Sequence, residues 1–155
     1  MTLLLLLAAC GFQLRGDPQV GFLKLFITSV GASAVVADMK RALLAGTTRI
    51  VATPAEAEAQ LRVLQEEREK SVSTITASGR VYEYQLTLSV RYRMTIPGRE
   101  EPVIAPTETV ARRLITYSEA APIAKEAEEQ LLFKDMQLEL ADKILRQVAV
   151  ARRDM

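Results

Sequence analysis

The sequence predicts an α+β fold: a two-layer sandwich of one sheet, roughly four mostly antiparallel strands, with two helices on its apolar face. The first observation is a strict alternation from Tyr82 to Ile96. Tyr82, Tyr84, Leu86, Leu88, Val90, Tyr92, Met94 and Ile96 alternate with Glu83, Gln85, Thr87, Ser89, Arg91, Arg93 and Thr95. Successive side chains of a strand point to opposite faces, so this strand has one face to bury and one to leave polar. The second is helical spacing of apolar residues in two other stretches, from Val35 to Leu43 and from Ile123 to Val148. The third is the order strand, helix, strands, helix, which suits helices laid on one side of a mainly antiparallel sheet.

After Gly16, Asp17-Pro18-Gln19-Val20-Gly21 carries turn chemistry, and Phe22 to Ile27 reads as a short first strand. Ser33 can cap a helix carrying Val35, Met39, Ala42 and Leu43, with Gly46 as its left-handed stop. Thr53-Pro54-Ala55-Glu56 resembles a capping box with proline at the first helical position, which predicts a short helical turn through Ala59. Leu61 and Val63 then alternate with Arg62, but Glu66, Glu67, Arg68, Glu69 and Lys70 follow, so periodicity alone allows helix or strand up to Ile75.

Ala77-Ser78-Gly79-Arg80 supplies the turn into the alternating strand and Pro97-Gly98-Arg99-Glu100 the turn out of it, giving a meander. Val103 to Tyr117 is the last strand, and Pro106, which cannot donate to a ladder, places it at an edge or a bulge. Beyond Ser118 and Pro122, the stripe Ala127, Leu131, Met136, Leu140, Ile144 and Val148 predicts a long amphipathic closing helix. Residues 10–150 are then one domain, 1–9 a signal-peptide remnant and 151–155 a frayed tail.

The chain has 155 residues, enough for a single domain with a real core. A net charge of +1 gives no bulk attraction for nucleic acid. The single cysteine excludes an internal disulfide, and the absence of histidine excludes Ser-His and Cys-His nucleophile systems and the usual zinc sites. Glu83, Glu108 and Glu119 show no spacing that pairs them for acid-base work and read as solvated charges. These absences count strongly against most hydrolases, and no catalytic, metal or cofactor site is expected.

At the N-terminus, Leu3 to Leu7 lead through Ala8 and Ala9 to Cys10. A membrane-spanning helix needs about 20 apolar residues, so this run is too short to cross and reads as a signal-peptide core. Leu7-Ala8-Ala9-Cys10 is similar to a bacterial lipobox, in which small residues admit a peptidase and the thiol takes a diacylglyceryl group. The competing reading makes Cys10 a small buried residue, the common fate of a free cysteine.

Three further motifs bear on this choice. Cys10-Gly11-Phe12-Gln13-Leu14-Arg15-Gly16 resembles the mature start of the lipopolysaccharide-assembly lipoprotein (LptE) family of Gram-negative outer membranes. Thr74 to Tyr92, with Ser78-Gly79-Arg80, Glu83-Tyr84-Gln85-Leu86 and Val90-Arg91-Tyr92, resembles that family's central hairpin. Leu131 to Ile144, with Lys134-Asp135-Met136, resembles its final helix. The resemblance runs from residue 10 to about residue 150 and favours a long strand over 61–75.

It implies a lipid at Cys10 anchoring the protein to the periplasmic side of the outer membrane, lipopolysaccharide as ligand, and the outer-membrane barrel LptD as partner. Arg80 and Lys134 are the implied lipopolysaccharide contacts, although residue 77 is alanine where relatives can be basic. Arg91 and Arg93 join them as candidates, from a set that also holds Arg15, Arg112 and Arg113, because arginine grips phosphates and carboxylates through paired hydrogen bonds. Gln85, Thr87 and Ser89 form the face expected to meet the partner, since barrel lumens are lined by polar side chains. Tyr82, Tyr84 and Tyr92 share a face with Leu86 and Leu88 and read as core rather than as a stacking platform. The competing functional reading is an unrelated periplasmic lipoprotein acting as inhibitor or envelope scaffold, with a carboxylate-dependent hydrolase a distant third.

Overall fold

The computed structural model describes residues 20–155. Cys10, Arg15 and the signal remnant therefore lie outside the described residues. The elements are β1 (Lys24–Ser29), α1 (Ala34–Leu43), β2 (Arg49–Ile50), β3 (Ala59–Ile75), β4 (Val81–Thr95), β5 (Ile104–Thr116) and α2 (Pro122–Arg153). One five-stranded sheet runs in the order β2-β1-β3-β4-β5. β1 is parallel to both β2 and β3, whereas β3, β4 and β5 form the expected antiparallel meander. The architecture is the predicted α+β sandwich with one more strand than expected. β2 is two residues long, too short to show alternation, and is defined only by its pairing of Arg49 with Lys24 and Ile50 with Leu25.

Ser33 caps α1 as its sequence position requires, accepting from Val36 N at 3.0 Å. Its hydroxyl also donates to Glu66 Oε2 at 2.5 Å, and the same carboxylate accepts from Val35 N at 3.2 Å. Glu66 of β3 thus satisfies donors of the first helical turn and lies at the positive end of its dipole. The C-terminal stop differs from expectation. Gly46 is not among the glycines with positive φ; α1 ends through tight turns in which Leu44 N donates to Arg41 O and Gly46 N to Leu43 O. The Thr53-Pro54 segment makes only a 3-10 turn over Pro54–Glu56, because Ala59 already begins β3.

The even face of β4 is core: Leu86, Leu88, Val90, Tyr92 and Met94 are fully buried. Met136, Leu140, Ile144 and Val148 of α2 and Val35, Met39 and Leu43 of α1 belong to the same cluster, so both helices lie on that side. Leu61 and Val63 of β3 face inward opposite Met94 and Tyr92, and a bulge follows between Val63 and Gln65. Beyond the bulge, the residues opposite Val90, Leu88 and Leu86 are Glu66, Arg68 and Lys70. Each has a helix-side partner: Glu66 at α1, Arg68 over the Phe133 ring at 5.3 Å, and Lys70 over the Tyr84 ring at 4.6 Å. Their apolar stems cover the core while the charges remain engaged.

The hairpin of β3 and β4 outreaches the helix layer. Tyr92 is core as expected, but Tyr84 is only half-buried and Tyr82 is 51% exposed, which corrects the reading of the three tyrosines as one buried row. Pro106 lies in β5, an edge strand, where a missing donor is tolerated. At the other end α2 runs past residue 150 to Arg153. Arg152 donates to Gly21 O at 3.2 Å and stacks over Phe22 at 4.9 Å, tying the last turn to the chain entering β1.

Candidate functional site

The site residues fall into three places set by the strand register and the helix layer. Arg80 closes the β3–β4 hairpin. Gly79 takes φ 78, a conformation glycine enters without steric penalty. The turn is held by Gly79 N to Thr76 O at 2.9 Å, Thr76 N to Arg80 O at 2.7 Å and Arg80 N to Thr76 Oγ1 at 3.1 Å. Among the described residues the Arg80 guanidinium reaches only Glu119, at 3.6 Å, and both side chains are exposed, so its charge remains open to a ligand.

Exposed apolar groups and further cations border this tip. Val72 stands opposite Tyr84, Tyr117 N donates to Tyr82 O at 2.9 Å, and Val72, Tyr82 and Tyr117 are all exposed. Tyr84 and Tyr117 meet edge to face with centroids 5.9 Å apart. Beside them Lys70, Tyr84, Tyr117, Lys125 and Glu129 line a cleft of about 170 Å³. Lys70 is paired with Glu129 at 2.5 Å, and Lys125 with Glu128 at 2.8 Å and Thr116 Oγ1 at 3.0 Å. Cations next to exposed aliphatic and aromatic side chains can hold an amphiphile whose head group is anionic.

Lys134 is elsewhere. It projects from α2 onto Asp38 of α1, with Nζ 2.7 Å from both carboxylate oxygens. Arg41 grips the same carboxylate. Asp38 is 3% exposed, so this group is first a clamp between the helices. Sequence reasoning passed over Asp38, although an acid inside Val35-Val36-Ala37-Asp38-Met39 signals a buried charge in need of a partner.

Arg91 and Arg93 lie on the opposite side of the sheet from Lys134, on the face that also carries Gln85, Thr87 and Ser89. That face meets Ser71, Glu69 and Glu67 on β3 and Leu114, Arg112 and Val110 on β5, opposite Gln85, Thr87 and Ser89 respectively. Arg113, by contrast, pairs with Glu139 of α2 at 2.5 Å. The four cations expected to share one ligand are therefore split among a hairpin tip, a helix clamp and an uncovered sheet face. Arg62 was also passed over; it stands directly opposite Arg93, and its place between Leu61 and Val63 already puts it on the outer face. Among the described residues no group of acids, histidines and cysteines could hold a metal ion, and no helix is long and apolar enough to cross a membrane.

The chain is 29% identical over 150 residues to the LPS-assembly lipoprotein LptE of Yersinia enterocolitica, covering 94% of this chain and 71% of that protein. Its fold is similar to lipoprotein B of Nitrosomonas europaea, solved by NMR, with a TM-score of 0.77, 30% identity and 90% of each chain covered. It is also similar to rare lipoprotein B of Shewanella oneidensis, with a TM-score of 0.74, 25% identity, and 84% of this chain and 97% of that chain covered. The profile of the LptE family, described as lipopolysaccharide-assembly, matches residues 24–148. The matched residues run from the start of β1 into the later turns of α2, and the chain belongs to the LptE family of lipopolysaccharide-assembly lipoproteins.

Proposed function

We propose that this lipoprotein binds lipopolysaccharide at the hairpin tip and sits as a plug inside the barrel LptD, held at the periplasmic side of the outer membrane by lipid on Cys10. Its role in lipopolysaccharide assembly is then binding and scaffolding rather than catalysis. The observation that carries this reading is the one-sided helix layer. A sheet whose outer face is polar along β4 from Glu83 to Thr95 can stand against the polar lining of a lumen with little apolar mismatch, Leu114 and Val110 of β5 being the apolar exceptions beside it. The tip adds the ligand chemistry: Arg80 is open, and Val72, Tyr82 and Tyr117 offer exposed apolar surface beside it.

Two measurements test it together. Affinity purification of the full-length lipoprotein from detergent-extracted outer membranes should recover a large barrel identified by mass spectrometry. Purified protein should bind lipopolysaccharide with an affinity that falls with salt, as an exposed charged contact requires. Recovery of no barrel from correctly localised protein would favour a free periplasmic scaffold instead.

A further inference from the structure

The outer face of the sheet is not uniformly polar; its charge is sorted along the strands. At the end nearest β1, Arg62 and Arg93 are directly opposite each other, with Arg91 two residues along and only Glu108 facing it from β5. Toward the tip the sign reverses, with Glu67, Glu69 and Glu83 on the same face against Arg112. Among the described residues no carboxylate lies within ion-pair distance of Arg62, Arg91 or Arg93. Like charges placed directly opposite on a sheet are unfavourable to the free domain, so this arrangement serves something outside it.

We propose that Arg62, Arg91 and Arg93 form a docking patch for carboxylates on the wall of a protein partner, and that the reversed charge toward the tip fixes which way the domain sits against that wall. The inference rests on the barrel reading above and gives it a register. Arginine suits the task because its planar fork takes a carboxylate through two parallel hydrogen bonds and is weakly hydrated. A rigid strand pair presents the forks at fixed spacing. A protein wall fits better than a lipid head group, because the immediate outer-face neighbours of the patch are Thr28, Gln60, Gln65, Ser89, Thr95 and Glu108. These offer no apolar strip for acyl chains, unlike the tip with Val72 and Tyr82.

The test uses full-length lipidated protein in outer membranes. Arg93→Lys and Arg62→Lys keep the charge and introduce an amine. A water-soluble carbodiimide activates a neighbouring carboxylate, the amine attacks its carbonyl carbon, and an amide forms as a urea leaves. Mass spectrometry should then find the peptide carrying position 93 or 62 joined to an aspartate or glutamate of the barrel. The double variant Arg62→Glu/Arg93→Glu should recover at least about tenfold less barrel than wild type. Its circular dichroism and lipopolysaccharide affinity should match wild type. Wild-type protein that recovers no barrel refutes both readings. Wild-type protein that recovers barrel while neither lysine variant couples to it refutes the docking patch alone. So does a double variant whose lipopolysaccharide affinity drops while barrel recovery holds, since that would make the patch a lipid site. Should the double variant unfold, the coupling result decides.

Discussion

Replacing Lys134 with alanine tests whether a residue that looks like a ligand contact first holds the helices together. The carboxylate of Asp38 is almost completely buried, its side chain 2% exposed, while Lys134 is 46% exposed and Arg41 65% exposed. Stripping the only partner from a fully buried pair costs about 3–5 kcal/mol. Here Arg41 stays and the lysine is half in water, so the loss should be about 1–2 kcal/mol, near that of one hydrogen bond to a charged group. Urea unfolding of Lys134→Ala, Asp38→Asn and the double variant gives the coupling between them. The double variant should be less destabilised than the sum of the singles, because the residues share one network. Any loss of lipopolysaccharide binding in Lys134→Ala would then have to be corrected for looser packing of α1 on α2. A Lys134→Ala protein as stable as wild type, with strictly additive effects in the double variant, would refute the clamp.

Leu88 is fully buried and Thr87 lies on the outer face, so Leu88→Ala should cost about 2–5 kcal/mol and Thr87→Ala little; equal urea midpoints would mean the faces are assigned the wrong way round. Burial raises the Tyr92 hydroxyl above its ordinary pKa of 10.0, so the folded state favours the neutral phenol. The associated stability is complete below the unfolded pKa and is lost as pH climbs past it toward the raised folded value. Tyr92 Oη has no hydrogen-bond partner among the described residues. Tyr92→Phe should therefore be at least as stable as wild type at neutral pH and resist alkaline unfolding better, and a variant that loses stability at both pH values would contradict this. Arg80→Glu should weaken lipopolysaccharide binding and flatten its salt dependence without moving the thermal midpoint, because its ion pair with Glu119 is exposed; unchanged binding would move the ligand away from the tip.

The parts of the fold legible in the sequence are those where one residue pattern has one physical cause. β4 alternates because one face is core and the other is uncovered, and α2 shows a stripe because one side packs on the sheet. β3 was ambiguous because its inward positions beyond the bulge carry Glu66, Arg68 and Lys70. Their charged ends are engaged by a helix N-terminus, a Phe133 ring and the Tyr84 ring, none of which is local in sequence, while Arg68 and Lys70 stay exposed. The Gly46 stop was misread because α1 closes through tight backbone turns that need no left-handed residue. Among the site residues, the turn at Arg80 was announced by Ser78-Gly79. The role of Lys134 was not, since Asp38 lies 96 residues away. That Arg91 and Arg93 share a face with Thr87 follows from alternation alone; that Lys134 lies behind the sheet required knowing where α2 packs.

Whether the uncovered face of the sheet meets a barrel wall is read most directly by a photo-activated amino acid placed at Ser89 in living cells, with Gln85 and Thr87 as companions on the same face. Irradiation should join each of these positions to one large outer-membrane barrel protein. Correctly localised lipoprotein that gives no barrel adduct at any of the three positions would contradict the plug.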